Sequence, residues 1–305
     1  MPDPALPPVA ALEELALGGE AVAPRPVALT PPRDPAERAR RVGYYALLVA
    51  FALLFFVPFI WSVATSFKTL PDTTTFSLLP HHWTLDGYRE ALGKYDFKRY
   101  ILNSAIVAAA VTLLTLFLAG LGGYAFARLR FPGRELLFML VLGTLMIPDQ
   151  LRFVPVYQML SKWNLIDTYQ GYVLIKLGLA TSLFLMRQYF LTIPRDLEEA
   201  AKLDGAGYFK TFRAVMLPLA GPALAAVAIL EFQGTWNDFF WANLLLQSPN
   251  HWTLPMGLAQ FTFQYSTLWP QLMAGTVIGI VPMAVIYLFF QRYFVAGVAS
   301  AGVKG

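Results

Sequence analysis

The chain has 305 residues, 57% of them hydrophobic and 14% charged, with a mean hydropathy of +0.53. Soluble domains carry about 45–50% apolar and about 25% charged residues, so a chain this apolar lacks the polar surface to enclose a core in water. Its expected solvent is lipid. The net charge of +4 does not point to nucleic acid, because the basic residues flank apolar runs and form no patch, and the absence of cysteine excludes disulfides, thiol nucleophiles and cysteine metal sites.

Residues 1–42 contain Pro2, Pro4, Pro7, Pro8, Pro24, Pro26, Pro31, Pro32 and Pro35 and no aromatic residue. Such a segment buries too little apolar area to offset its ordering entropy, and it is expected to be a disordered, proline-rich cytoplasmic tail. It does not read as a cleavable signal peptide, because no basic start leads directly into a short apolar run. The run after Arg38, Arg40 and Arg41 is long and reads as a retained anchor.

Residues 43–305 form the expected membrane domain. A helix needs about 20 apolar residues to cross the hydrocarbon core. Gly43–Val63 and Ile101–Ala127 are free of charge. Three further spans are interrupted. Glu135 to about Ser161 carries Asp149 and Arg152 just after Pro148, Tyr172–Tyr189 carries Lys176, and Pro222–Leu246 carries Glu231 and Asp238. Ser248-Pro249-Asn250-His251 reads as a loop, and the last span runs from about Met273 to Tyr293. The fold class is therefore all-α integral membrane with six transmembrane helices. With the N-terminus inside, fifteen of the 23 Lys and Arg lie in inside segments against seven outside, with Lys176 intramembrane; by the positive-inside rule both termini face the cytoplasm. His81 and His82 sit in a polar loop without a ligand set, so no metal site is expected.

The longest inside loop after the tail runs from about 188 to 221. Pro194 suits a first helical turn, Asp196, Glu198 and Glu199 complement the helix dipole, and Gly205 can take a left-handed cap. A second short amphipathic segment is expected to stop near Pro218. The spacing predicts a helix–turn–helix on the cytoplasmic face, a form that an ordinary interfacial connector also takes.

The residue types narrow this further. Glu199-Ala200-Ala201, three residues, Gly205, nine residues, Val215, one residue and Leu217-Pro218 resemble the Glu-Ala-Ala loop of binding-protein-dependent ABC importer permeases, with Val215 where isoleucine is commoner. Tyr124-Ala125-Phe126-Ala127-Arg128, with Phe131 and Gly133-Arg134, is similar to the end of the second span in the carbohydrate branch of that family. Trp236-Asn237-Asp238 resembles that branch's fifth span. The ending Gln291-Arg292-Tyr293-Phe294-Val295, with Gly297 and Gly302-Val303-Lys304-Gly305, resembles the C-terminus of its smaller, maltose-type subunit. The resemblance covers about residues 43–305; Lys176 departs from the pattern.

The resemblance implies the type I ABC importer permease fold and half of a pore for sugars or oligosaccharides. It implies a coupling surface of Glu199, Ala200, Ala201, Asp204, Gly205, Leu217 and Pro218 that docks in a cleft of a separate ATPase. There the alanines permit close approach, Glu199 pairs with a basic residue and Gly205 sets the bend. No G-x-x-x-x-G-K-[ST] phosphate loop occurs in the chain, so it is expected to be no enzyme and to hold no cofactor, with ATP and Mg bound by the partner. The expected partners are two ATPase subunits, a second permease chain (a heterodimer over a homodimer), an extracytoplasmic solute-binding protein and membrane lipid.

Ionisable residues within spans are functional candidates by default, so Glu231, Gln233, Trp236, Asn237 and Asp238 are the expected solute pathway. The alternative for Glu231 is a structural contact, with Lys176 as the partner. The aromatic residues of the outer loop, Trp252, Phe261, Phe263, Tyr265 and Trp269, suit either contact with a binding protein or an interfacial belt. Gly275 and Gly279 form a G-x-x-x-G pair. Rival functions are import of another small polar solute such as glycerol phosphate, or an ion-coupled secondary transporter.

Overall fold

The computed structural model describes residues 35–302 apart from 76, 94, 264 and 265, with side chains as far as Phe289 except at Glu37. Residues 1–34 of the expected tail, and Tyr265 of the outer loop, lie outside the described residues. Helix α1 (Pro35–Ser66) starts inside the segment expected to be disordered. Proline suits a first turn, and Ala36, Glu37, Arg38, Ala39, Arg40 and Arg41 are good helix formers, so the helix extends beyond its apolar run. The stretch up to Val57 forms one unit, and Pro58 onward belongs to the main unit.

The main unit is helical. Short α2 (Asp86–Gly93) precedes α3 (Phe97–Arg128), and the chain ends its described part in α14 (Trp269–Gly302). Within the described residues, α1, α3 and α14 are long and apolar enough to cross a membrane, and up to six crossings result if three bent helix pairs each count as one. The first two of those pairs are the first two interrupted spans, and the third joins the loop segment Tyr208–Leu219 to the helix that follows it. Helix α4 (Arg134–Gly143), continued by a 3-10 turn to Met146, meets α5 (Asp149–Lys162) at 101°. Pro148 causes the break, since it forces Ile147 into extended backbone (φ −86°, ψ 112°). Helices α6 (Tyr169–Lys176) and α7 (Leu179–Thr192) meet at 47°, across Leu177-Gly178.

The loop region contains α8 (Asp196–Leu203), then α9 (Tyr208–Thr211), a π-helical turn over Phe212–Met216 and α10 (Leu217–Leu219). The segment Tyr208–Leu219 meets α11 (Gly221–Trp236) at 76°. The expected fifth span to Leu246 is shorter than anticipated. It ends at Trp236, and the chain resumes as α12 (Phe240–Leu245). Between them Asp238 turns aside to bond Tyr172 and Lys176.

Helix α3 is the hub, packing against α7, α11, α6 and α13 (Leu254–Ala259). Lipid tails are as apolar as leucine, so helices here associate through close packing of small residues. A Cβ on Gly123 would lie 2.6 Å from Cβ of Met186 on α7. The Gly275/Gly279 pair of α14 works within the chain: Gly275 faces Phe97 and Leu258, Gly279 faces Leu254, and the Gly279 carbonyl accepts a bond from the Trp236 indole at 3.2 Å. Of the outer-loop aromatics, Phe261 is fully buried, stacked on Phe97 with centroids 5.3 Å apart, while Phe263 is exposed.

One polar clamp ties the segment before α6 to the segment after α12. The Asp167 carboxylate accepts bonds from the Ser248 N–H (2.9 Å) and hydroxyl and contacts His251 Nδ1 at 3.0 Å. Burial alone would raise its pKa. The bonds from Ser248 and His251 outweigh that and hold the carboxyl at about 2.

Candidate functional site: an exposed helix–turn–helix and a membrane polar cluster

Helix α8 carries Asp196, Glu198 and Glu199 in its first turn, where the unpaired N–H groups favour negative charge. It ends at Gly205, whose φ of +76° is a conformation glycine alone adopts without cost. The Gly205 N–H bonds the Lys202 carbonyl and the Ala206 N–H bonds the Ala201 carbonyl, 3.0 and 2.9 Å, which is the Schellman form of cap. The turn presents Glu199, Ala200, Asp204 and Gly205 to the exterior, with Ala201 half-buried. Beside them stand the apolar side chains of Leu203 (89% exposed), Tyr208 and Phe209.

Leu217 and Pro218 lie apart from that knob. They occupy the second helical segment, which runs past Pro218 to Ala220, and Leu217 packs on the buried cluster of Tyr124, Phe190, Phe212 and Met216. The loop therefore divides into an exposed tip and a stem embedded in the bundle.

The joint between loop and bundle is a pair that no local pattern signals. Arg128, the last residue of α3, pairs with Glu198 of α8 at 2.9 Å, the side chains 5% and 9% exposed. The same guanidinium donates to the carbonyls of Phe190 (2.6 Å) and Ile193 at the end of α7. One side chain thus ties three helix ends. Beside it a cleft of about 360 Å³ is walled by Arg128, Arg130, Arg134, Arg195 and Lys202, with Glu198 and Glu199 among them. Arg187 braces the neighbouring helix by pairing with Glu135 at 2.9 Å and lying 4.0 Å over the Phe138 ring.

The five residues expected on a solute pathway do not share a face. Glu231 accepts a 2.5 Å bond from Ser182, and Asp238 accepts one from Tyr172 at 2.9 Å, so both turn toward α6 and α7. Trp236 is buried at 2% exposure, stacked on Phe232 and bonded to α14, and is closed to any solute. Gln233 and Asn237 are exposed. Lys176 pairs with Asp238 (3.7 Å) and donates to the Gly234 carbonyl (3.4 Å), while the side chain bonded to Glu231 is Ser182.

Long apolar helices, bent pairs broken at polar residues and an exposed acidic helix–turn–helix beside their ends are the build of a polytopic α-helical membrane protein. The chain belongs to the family described as binding-protein-dependent transport system inner membrane component, whose model matches residues 117–300. It is 35% identical over 269 residues to the arabinooligosaccharides transport system permease protein of Halalkalibacterium halodurans, covering 86% of this chain and 96% of the relative. It is also 35% identical to the trehalose/maltose transport system permease protein of Thermococcus litoralis, over 85% of this chain and 95% of that one. Among solved structures, a bacterial ABC transporter involved in import of the acidic polysaccharide alginate superposes with a TM-score of 0.75 at 26% identity. That match covers 87% of this chain and 100% of the other. The protein is an ABC transporter permease subunit, resident in the membrane.

Proposed function

We propose that this chain forms half of the pore of an ATP-driven importer of sugars or oligosaccharides and transmits the motion of a separate ATPase to that pore. The observation that carries the coupling role is the exposed Glu199–Gly205 turn, rooted through the buried Arg128–Glu198 pair in the ends of α3 and α7. Carbohydrate as substrate class rests on relatives named for arabinooligosaccharides and for trehalose and maltose. In this reading the tip and its neighbours Leu203, Tyr208 and Phe209 seat in a cleft of the ATPase subunit. ATP and Mg stay on that subunit. A second, non-identical permease chain completes the pore, a solute-binding protein delivers substrate from outside, and both termini are cytoplasmic.

The mechanism follows from the rooting. When the ATPase dimer closes, it displaces the tip. The Gly205 cap and the α8 helix move as one body, and Arg128 passes that displacement to α3 and α7, a two-state rearrangement of the kind membrane transporters use. The test is purification from detergent followed by reconstitution. An ATPase subunit and a second permease should accompany the chain, and the vesicles should take up arabinotriose, trehalose or maltose only with ATP. Uptake driven by an ion gradient, with no ATPase in the preparation, would overturn the reading.

A further inference from the structure

Three helix interruptions meet at one place: Ile147-Pro148 and Leu177-Gly178 line one cavity, and Asp238, between α11 and α12, reaches Lys176 on its wall. From the end that bears the loop, Arg134–Met146 runs about 20 Å to its break, α7 about 21 Å and α11 about 24 Å at 1.5 Å per residue. That is within the roughly 30 Å hydrocarbon core. Irregular backbone at such a depth is tolerated only inside protein or along a water-filled cavity.

A cavity is there. It has a volume of about 440 Å³ and is walled by Thr144, Asp149, Arg152, Lys176, Thr181 and Trp241, with apolar side chains between them. The volume is within the range of about 300–1,000 Å³ usual for small-molecule sites. Its charges cancel in pairs: Arg152 with Asp149, and Lys176 with Asp238. Hydrogen-bonding capacity is left over. The Arg152 and Asp149 side chains are each partly exposed, and Thr181 is exposed. The first turns of α5 and α7 have no side-chain cap. A net-neutral cavity rich in donors and acceptors and edged by Ile175, Leu179 and Trp241 matches a neutral, hydroxyl-rich ring with apolar faces. A carboxylated or phosphorylated solute would have to break an ion pair to be held.

We propose that this cavity is a saccharide subsite belonging to this chain, in which Asp149, Arg152 and Thr181 bond the sugar hydroxyls and the Lys176–Asp238 pair holds the broken helices in place around them. It rests on the sugar-importer reading above.

The chain has no cysteine, so Thr181→Cys gives it a single thiol. The assembled complex, in vesicles, is exposed to a water-soluble maleimide with and without arabinotriose, trehalose and maltose, and labelling is read from the mass of this chain. The thiol should react, and whichever sugar the wild type takes up should slow that reaction severalfold. Arg152→Gln should raise the KM of uptake about tenfold, the loss of one hydrogen bond from a charged donor, with maximal rate within about twofold. If Thr181→Cys fails to assemble, Thr144→Cys probes the same wall. Uptake by the wild type with a thiol that no transported sugar protects, or that never reacts, overturns the subsite and leaves the importer reading intact. Absence of ATP-driven uptake of every sugar by the wild type overturns the reading and the subsite with it.

Discussion

Removing either half of the Arg128–Glu198 pair should cost far more than a surface ion pair, and the two losses should not add. At 5% and 9% exposure, loss of one partner leaves a buried charge, for which about 3–5 kcal/mol is usual. The adjoining cleft lets water reach the stranded group, so Glu198→Leu is expected near the lower limit, about 3 kcal/mol. Arg128→Leu also strips the Phe190 and Ile193 carbonyls, each worth about 1 kcal/mol, and should cost about 5 kcal/mol. In the double variant no charge is stranded, so at least about 2 kcal/mol of the summed loss should return. The assay is the unfolding midpoint of the assembled complex in detergent for wild type, both singles and the double. ATP consumed per sugar carried is measured alongside, and should rise severalfold in Arg128→Leu while the ATPase stays bound. Strict additivity of the two single effects would refute the coupling argument, because independent sites and not a shared buried pair produce it.

Gly205→Ala should cost about 1 kcal/mol through its positive φ alone, since no described atom lies within 4 Å of a Cβ there. Gly205→Pro also loses the bond to Lys202 and should uncouple ATP hydrolysis from uptake, as should Glu199→Lys; normal transport by either, with normal insertion, would sink the coupling assignment. The Asp167 carboxyl titrates at about 2 in the fold against about 3.9 in an unfolded chain. Its stabilisation is therefore present above pH ~4 and lost as pH falls from ~4 to ~2; after allowance for solvent screening it is worth about 1–2 kcal/mol. Asp167→Asn should flatten the acid limb of the stability profile, and an unchanged limb would contradict the clamp. Glu231→Gln keeps the Ser182 contact and should leave uptake kinetics unchanged; a large rise in KM would place Glu231 in contact with solute.

The parts of the fold that were legible in the sequence are those written in local chemistry. Charge-free runs mark α1, α3 and α14, and the residues that interrupt the other spans (Pro148 with Asp149, Lys176, Asp238) lie at or next to the breaks themselves. The loop was legible because acids in the first turn and glycine at the cap act within a few residues of one another, although Pro194 stands just ahead of the helix and not in its first turn. Arg128 and Glu198 stand far apart in the chain and meet only through tertiary packing, which no window of sequence contains. The local motif marks Glu199 instead, its exposed neighbour. The pathway set joins residues that periodicity separates. Glu231 and Trp236 are five residues apart, about 140° round a helix, so they point to different faces.

Under the proposed coupling, the same geometry lets a push on the loop move the helices without dismantling their packing. Close approaches such as Gly123 against Met186 leave α3 and α7 no room to slide, because close-packed interiors resist displacement. The breaks are different: their helical hydrogen bonds are already interrupted, so rotation there adds little further loss. Force entering at Arg128 acts on the stiff, unbroken α3 and on the segments between loop and breaks, about 20–24 Å long. The compliant points lie at the far ends of those segments. Levers of that length turn a small displacement at the tip into motion concentrated around Asp149, Lys176 and Asp238, where the polar groups face one another.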